Sequence, residues 1–373
     1  MFIKDFVLFN PKGKKPTDYV NYIDTSSVED GKLLGIQYLT DNIPSRAQRV
    51  IEEGDILISS VRPILKHNYY VSHTVENGIA STGFIQIRAD RLKVIPQYLY
   101  YFLTEENKVK MYQTIAETSQ STFPSFNKDV IENMAFPDVS LAEQQHIVDI
   151  LGSIDDSIEN NEKIIEALEE KMLLEYDHLI AGTTLTGSEM KEIFDISIGK
   201  TPPRKESHWF TENPEDVKWL SISDMGKAKV FAFDSSEKIT AEGIEKYNVK
   251  IAPENTVLLS FKLTIGKVAI TGCEMATNEA IAHFVSNDEN IVEYLYCYLK
   301  RYNFDMLGNT SSIATAVNSK TIKAMKFYYP DTETLVDFHR IAEPLIKKIK
   351  HLLITNAKLS ELKHLYLKKF FGF

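Results

Sequence analysis

The sequence has little cysteine and no long apolar run. Each of these absences argues against a class of protein. Its two cysteines, Cys273 and Cys297, belong to no Cys-x-x-Cys pair, which argues against a disulfide scaffold or a cysteine zinc site. No apolar run approaches the roughly 18 residues that a membrane span requires. The first residues carry charges at Lys4 and Asp5 and do not resemble a signal peptide. We therefore expect a cytoplasmic protein with no membrane partner.

Motifs of catalysis are missing as well. The sequence contains no GxxxxGK[ST] phosphate loop, no GxGxxG, no GxSxG nucleophile elbow and no HExxH. The nine histidines are scattered. We therefore predict no catalytic residue, no metal and no cofactor in this chain. An enzyme with a catalytic centre outside the known motifs remains an alternative, although no residue pattern points to one.

The net charge of −10 is not that of a simple nucleic-acid binder, but the charge is unevenly distributed. Residues 143–177 contain eleven acids and two lysines, whereas residues 340–369 contain eight bases and two acids. The rest of the chain is mildly acidic. Any grip on DNA must therefore come from local cationic patches or from a partner.

The chain contains an internal repeat with a period of about half its length. Four segments of the first half recur in the same order in the second half, and such order is strong evidence for two copies of one unit. The matches are GDILIS (54–59) with NTVLLS (255–260), PQYLYYFL (96–103) with VEYLYCYL (292–299), NKDVIENMAF (127–136) with NSKTIKAMKF (318–327), and QQHIVDIL (144–151) with the weaker FHRIAEPL (338–345).

Each copy reads as short strands, a Tyr/Leu-rich helix, a polar loop, a further strand and a long helix. We predict an α/β (α+β) fold with two pseudo-repeated globules, separated by two long helices that form an antiparallel coiled coil. The predicted boundaries are 1–139 for the first globule, 140–182 for the central helix, 183–331 for the second globule and 332–373 for the C-terminal helix.

Both long helices have apolar residues at alternating steps of three and four, the seam of a coiled coil. Each seam has one polar interruption, Asn161 or Asn356, which we predict to pair and to fix the helix register. One helix is acidic and the other basic, which favours their pairing. The alternative is two separate amphipathic helices, each lying on its own globule. The second seam is predicted at Leu345, Ile349, Leu352, Asn356, Leu359, Leu362, Tyr366 and Phe370.

Residues 44–63, PSRAQRVIEEGDILISSVRP, combine three arginines with an acidic turn. Gly54-Asp55 before ILIS predicts a turn held by the Asp55 side chain, so these carboxylates are interpreted as structural. The arginines could then point toward an anion. The alternative is that they form ordinary surface ion pairs with Glu52 and Glu53.

Cationic and small polar residues gather in loops of both copies. Arginine suits bidentate contact with phosphate or guanine, and amides and hydroxyls suit phosphates and base edges. The candidate DNA-binding residues are Arg46, Arg49, Arg62, Lys66, Ser121, Asn127, Lys128, Lys200, Arg204, Lys205, Lys262, Lys267, Ser312, Asn318 and Lys320.

Several of these segments together resemble the specificity subunit of type I restriction–modification systems. In the first copy they are residues 44–63, ASTGF (80–84) and LAEQQHIVDILGSIDDSIENNEKIIEAL (141–168). In the second copy they are GKTPP (199–203), WLSISDMG (219–226), LTIGKVAI (263–270) and ATNEAIAHF (276–284). The likeness covers nearly the whole chain. It departs from the family pattern where the first globule lacks a counterpart of GKTPP, and where Pro344 would sit in an early turn or kink the last helix.

The resemblance implies a non-catalytic subunit that reads the two halves of a split, asymmetric target in double-stranded DNA. It implies that the helices set the gap between the half-sites and dock two methyltransferase subunits, which carry S-adenosylmethionine. Restriction and translocase subunits would add cleavage of foreign DNA. The competing interpretation is a coiled-coil interaction scaffold that does not bind DNA.

Overall fold

The computed structural model describes residues 1–118, 124–262, 264–308 and 317–372. The chain divides into two compact units, each of which includes part of both long helices. Unit 1 consists of residues 1–158 and 358–373, and unit 2 consists of residues 159–357.

Unit 1 begins with short strands: β1 (Val7–Phe9), β2 (Val20–Ile23), β3 (Val28–Glu29), β4 (Lys32–Leu33), β5 (Gln37–Leu39), β6 (Ala47–Val50), β7 (Ile56–Ser59), β8 (Tyr69–Tyr70), β9 (Gly78–Ser81) and β10 (Phe84–Ala89). They form an antiparallel sheet in the order β1-β10-β7-β8 and a second sheet in the order β5-β2-β9-β6, in which β2 and β9 are parallel. The helices that follow are α1 (Pro96–Thr104), α2 (Glu106–Glu117), α3 (Asp129–Glu132) and α4 (Leu141–Gly182), the last of which continues into unit 2.

Unit 2 repeats this topology with additions. Its elements are β11 (Thr186–Glu189), α5 (Met190–Ile193), β12 (Asp195–Ile198), β13 (Phe210–Thr211), β14 (Val217–Leu220), α6 (Ile222–Lys227), β15 (Phe231–Ala232), β16 (Glu237–Ile239), α7 (Ala241–Tyr247), β17 (Ile251–Ala252), β18 (Val257–Ser260), β19 (Val268–Thr271), β20 (Met275–Thr277), β21 (Ile281–Val285), α8 (Val292–Arg301), α9 (Ser319–Lys323), β22 (Lys326–Tyr329) and α10 (Thr332–Phe371). The sheet orders are β12-β21-β18-β19-β15, β13-β16-β14-β20-β17 and β11-β22.

The repeat predicted from the sequence is therefore a repeat of topology. Strand β10 lies between β1 and β7 as β21 lies between β12 and β18, and the parallel pair β2–β9 corresponds to β14–β20. The Tyr/Leu-rich helices α1 and α8 occupy equivalent places, since Tyr98 and Tyr294 are both fully buried in their units. The α+β fold with two repeated globules and two long helices is confirmed.

The long helices run antiparallel within unit 2. Asn161 Nδ2 donates a hydrogen bond to Asn356 Oδ1 at 2.7 Å, and the rings of Tyr176 and Phe338 pack at 6.3 Å. Residue numbers thus rise along one helix as they fall along the other. This is the antiparallel pairing expected from the seams, and the interpretation as two unpaired helices is wrong.

In unit 1 the end of α10 packs against the start of α4 and against α1. Phe371 is 1% exposed, and its ring lies 5.2 Å from that of Tyr98 and 5.9 Å from that of Phe102. Lys108 Nζ donates to the Phe371 carbonyl oxygen at 3.2 Å. Phe371 therefore completes the core of unit 1, with Tyr366, Leu367 and Phe370 of the same helix packed against that core.

In α10 one predicted seam position is wrong, and Pro344 does not take the early-turn place that was one of the two expected for it. Leu362, assigned to the seam, is 41% exposed, and the neighbouring Lys363 instead pairs with Asp155. An ideal helix drifts relative to a strict seven-residue repeat, so a seam extrapolated over many turns slips by a residue. Pro344 lies inside α10 and not in its first turn, where its ring removes the backbone donor to the Arg340 carbonyl.

Candidate nucleic-acid interface

The acidic turn before β7 is structural, as predicted. Asp55 is fully buried and accepts hydrogen bonds from the Glu52 backbone, from Gln86 Nε2 and from two nitrogens of Arg88, each at 2.8 Å. Gly54 supports this turn with a φ of +91°, a conformation that favours glycine. The Asp55 carboxylate is saturated by these donors and has no free role in chemistry.

In the described part of the chain, Glu52 and Glu53 have partners other than the arginines of residues 44–63. Glu52 pairs instead with Arg88 Nη1 at 2.6 Å, and the Glu53 side chain accepts from Thr74. Arg46 pairs with Asp24 at 3.2 Å, and its side chain is still 63% exposed. Arg46 thus has an acidic partner, but this partner is Asp24 and neither Glu52 nor Glu53.

Arg49 lies in β6, at the edge of its sheet. The pairing register with β9 shifts between Ala47 and Arg49, which marks a β-bulge. The Arg49 Nε is shielded from solvent and has no hydrogen-bond acceptor among the described residues. Burial lowers the pKa of Arg49.

Arg62 and Lys66 flank a short 3₁₀ turn, and both adopt left-handed backbone conformations, with φ of 47° and 52°. The Arg62 amide donates to the Pro124 carbonyl at 2.9 Å, which places Arg62 next to the segment that carries Asn127 and Lys128. Lys66 lies 4.0 Å from Asp30. The structure thus brings these four candidates onto neighbouring segments of unit 1.

The candidates that follow Lys66 along the chain differ in their surroundings. Lys128 pairs with Glu132 and lies 3.9 Å from Asp129. Asn127 is exposed. Ser121 lies outside the described residues.

In unit 2, Arg204 is held by the protein itself. Its Nη1 and Nη2 donate to the two carboxylate oxygens of Glu237 at 2.7 and 2.9 Å. The guanidinium carbon lies 4.0 Å from the ring centroid of Phe210 and 4.7 Å from that of Trp219. Its charge is therefore balanced, and the side chain fastens the loop after β12 to β14 and β16.

The same loop presents two lysines. The Lys200 backbone is fixed at both ends, because its amide donates to Thr277 O at 2.9 Å and its carbonyl accepts from Trp219 Nε1 at 3.1 Å. The Lys200 and Lys205 side chains are exposed. A backbone held by hydrogen bonds together with exposed cationic side chains suits contact with phosphates.

The other candidates of unit 2 lie on two further segments. Lys262 is exposed, whereas Lys267 is half-buried and donates to the Ile222 carbonyl at 3.5 Å. Asn318 caps α9, since its side chain accepts from the amides of Lys320 and Thr321. Lys320 is exposed, and Ser312 lies outside the described residues.

The structure also reveals cations that the sequence reasoning missed. Gly13-Lys14-Lys15-Pro16 follows β1 as Gly199-Lys200-Thr201-Pro202 follows β12, so the first globule does have a counterpart of GKTPP. Lys12 and Lys14 are exposed, and Lys15 Nζ donates to the Ala47 carbonyl at 3.3 Å. The Gly-Lys-x-Pro spacing was the available signal.

A buried polar layer lies beneath the loop after β12. His283 Nδ1 is hydrogen-bonded to Ser197 Oγ at 3.0 Å, and its Nε2 to Thr277 Oγ1 at 2.7 Å. Burial lowers the pKa of His283 to about 4, so the imidazole is neutral at physiological pH. At the equivalent position of unit 1 lies Gln86, which pairs with Leu57 as His283 pairs with Leu258.

Among the described residues, no helix combines the length and apolar character of a membrane span. Within the same part of the chain, no group of three or more His, Cys, Asp or Glu side chains is arranged to hold a metal ion.

Comparison with known proteins gives consistent results. The family model described as "Type I restriction modification DNA specificity domain" matches residues 1–170 and again residues 185–364. The type I restriction enzyme HindI specificity subunit of Haemophilus influenzae is 24% identical over 430 residues, covering 94% of this chain and 93% of that protein. The MjaIX specificity subunit of Methanocaldococcus jannaschii is 24% identical over 330 residues, covering 81% and 73%.

A solved structure shares the fold. The S subunit of a type I restriction–modification system from M. genitalium aligns with a TM-score of 0.58 at 14% sequence identity, over 99% of this chain and 94% of that chain. The two family matches together span most of the sequence and coincide with the two topological repeats. The chain belongs to the type I restriction–modification DNA specificity family and carries two copies of its specificity domain.

Proposed function

We propose that this chain is the DNA sequence-recognition subunit of a type I restriction–modification complex and reads a split, asymmetric target. The observation that supports it best is the duplication of one two-sheet fold with cationic loops at equivalent places but different side chains. Lys14 and Lys15 follow β1, whereas Lys200, Arg204 and Lys205 follow β12. Two copies that differ in this way suit two different half-sites.

The globules and the long helices are assigned different roles in this proposal. We propose that the globules of residues 1–139 and 183–331 recognise DNA and that the helices of residues 140–182 and 332–373 dock two methyltransferase subunits. Those subunits would bind S-adenosylmethionine and transfer the methyl group, and restriction and translocase subunits would add cleavage. The HindI and MjaIX proteins are named as subunits of type I restriction enzymes, which supports an assembly of this kind.

Partners also account for the acidity of the chain. Non-specific affinity for DNA depends on cations that displace counterions from phosphates, whereas in this chain 52 acidic residues outweigh 42 lysines and arginines, for a net charge of −10. If the methyltransferase subunits grip the backbone, this chain needs only to read bases and to position its loops.

The experiment is methylome sequencing of cells that express the chain with its methyltransferase partner. We expect a new motif made of two short half-sites with a fixed gap, methylated on both strands and absent without this chain. A stable complex that methylates no such motif would contradict the proposal and favour a coiled-coil scaffold without DNA recognition.

A further inference from the structure

The Arg49 guanidinium has a donor for which the described residues of unit 1 supply no acceptor. Its Nε is shielded from solvent and forms no hydrogen bond among them. A buried donor without a partner destabilises the fold, and more so when it is charged. Because the residue as a whole is only half-buried, part of it remains at the surface of unit 1.

Arg49 differs in this respect from the arginines whose side-chain partners the structure shows. Each of those donates to an oxygen of the protein. The pairs are Arg46 with Asp24, Arg88 with Asp55 and Glu52, Arg91 with the Glu53 carbonyl, Arg204 with Glu237, Arg301 with Asp177, and Arg340 with Asp337.

The backbone around Arg49 is built to hold it in place. The β-bulge between Ala47 and Arg49 re-aims the side chain at this point of the edge strand. On one side of the bulge, Lys15 Nζ ties the loop after β1 to the Ala47 carbonyl. On the other, a Cβ at Gly13 would meet the Val50 Cβ at 2.7 Å, so only glycine allows this close approach of loop and strand.

The loop that packs against β6 adds positive charge, since it carries Lys12, Lys14 and Lys15. Burial lowers the pKa of Arg49, but the ordinary pKa of arginine lies so far above neutral pH that the side chain remains protonated. The shielded Nε is out of reach of an external ligand. Among the described residues the terminal nitrogens of Arg49 have no ion pair or hydrogen bond, so in this half-buried side chain they are the donors available to an external acceptor.

We infer that Arg49 is a specificity-determining residue of unit 1 that donates to the O6 and N7 atoms of one guanine in the half-site. The inference rests on the proposed function and deepens it. A guanidinium forms this bidentate contact with guanine in the major groove, and it is the commonest specific contact between proteins and DNA. The O6 and N7 atoms of guanine accept from the two terminal nitrogens of the guanidinium, while the Nε stays buried.

Unit 2 carries a lysine at the equivalent position. The pair Val50–Ile79 of unit 1 corresponds to Ile251–Ala276 of unit 2, so Arg49 corresponds to the exposed Lys250. A lysine lacks the planar fork of a guanidinium, and Lys250 Nζ donates to Asn248 Oδ1 at 3.3 Å. The effect of Arg49 must therefore be confined to one half-site.

The test compares methylomes of the full complex with the native chain, Arg49→Lys, Arg49→Ala and the control Arg91→Lys. The Arg91 side chain is already occupied by the Glu53 carbonyl at 2.6 Å, so its replacement is expected to leave the motif unchanged. Arg49→Lys keeps the charge but loses the planar fork. Should Arg49→Ala prove unstable, Arg49→Lys alone decides.

For Arg49→Lys we expect relaxed discrimination of about tenfold to a hundredfold at one guanine of one half-site, with the other half-site intact. A motif unchanged in both Arg49 variants would overturn the inference. So would a uniform loss at both half-sites, which indicates a phosphate contact, or a unit 1 half-site without guanine. If the native complex methylates no split motif, the proposed function itself fails, and that outcome is seen before any variant is compared.

Discussion

Asn161 and Asn356 face each other in the helix pair of unit 2, with the amide of one donating to the carbonyl oxygen of the other at 2.7 Å. Both residues are half-buried, at a position that an apolar pair would otherwise occupy. We propose that they fix the register of the two helices, because only one alignment of the helices lets the two amides meet.

The first prediction concerns this pair. Asn161→Leu alone is expected to lower the free energy of unfolding by about 1–2 kcal/mol, because it leaves the Asn356 amide without this partner. The double variant with Asn356→Leu should recover that loss and exceed the native stability. Chemical unfolding of the four members of the double-mutant cycle measures this coupling. Equal and additive losses would show that the two amides act independently.

The Arg204–Glu237 pair gives a prediction that distinguishes two roles for Arg204, fastening its own loop and contacting DNA. Glu237→Ala removes the carboxylate that balances the Arg204 charge. If Arg204 only fastens its loop, the variant should weaken methylation at the half-site of unit 2, by a factor of about ten for a loss of 1.4 kcal/mol. If Arg204 binds DNA directly, a freed guanidinium should strengthen DNA binding.

The measurement for this pair is methylation of substrates in which only one half-site varies. Arg204→Lys is the companion variant, because lysine keeps the charge but loses both the bidentate geometry and the stacking on Phe210 and Trp219. We expect it to resemble Glu237→Ala. Stronger binding by Glu237→Ala would restore Arg204 to the DNA-contacting set.

His283 predicts how the stability of unit 2 depends on pH. Its folded pKa of about 4 lies below the ordinary value of 6.5, so the unfolded state binds more protons between these values. The contribution of His283 to the free energy of unfolding is therefore fully present above about pH 6.5. It is lost as the pH drops toward 4, by about 3 kcal/mol in total. His283→Gln should remove this component of the acid sensitivity, because glutamine does not titrate.

Glutamine is a conservative choice here, since Gln86 occupies the equivalent buried position in unit 1. Unfolding measured at several pH values between 4 and 7 tests the prediction. Replacement of the exposed His73 by Gln is the matched control. An unchanged pH dependence in His283→Gln would show that other groups dominate the acid response.

The end of α10 gives a prediction about unit 1. Phe371→Ala is expected to destabilise unit 1 by about 3–5 kcal/mol, because it removes a buried ring packed against Tyr98 and Phe102. Leu365→Ala is the control, since Leu365 lies on the same helix and is 62% exposed. Hydrogen exchange of the amides of α1 measures the loss locally. Equal protection in both variants would mean that the helix end is not a core element.

The repeat could be predicted from the sequence because four short segments recur in order. Residues such as Tyr98 and Tyr294 keep their identity where a packed core tolerates few alternatives. The long helices could also be predicted, since their apolar spacing is regular over several turns. The position of Leu362 could not be predicted, because the drift between 3.6 and 3.5 residues per turn accumulates with distance.

The candidate interface was harder to predict. Composition identifies arginines but not their partners. Glu237 lies 33 residues from Arg204 along the chain, and only the pairing of β16 with β13 and β14 brings the carboxylate to the guanidinium. The lysines after β1 were missed because their role depends on the equivalence of β1 and β12, which sheet order reveals and a sequence match of a few residues does not.

The burial of Phe371 in unit 1 has a consequence for biosynthesis. Residues 358–373 belong to unit 1, whereas unit 2 ends at residue 357. Domains usually fold as units from the N-terminus during translation, yet here the unit that begins the chain is the last to receive all of its residues. Unit 1 can therefore complete its core only after residues 358–371 have left the ribosome, and these are synthesised after the whole of unit 2.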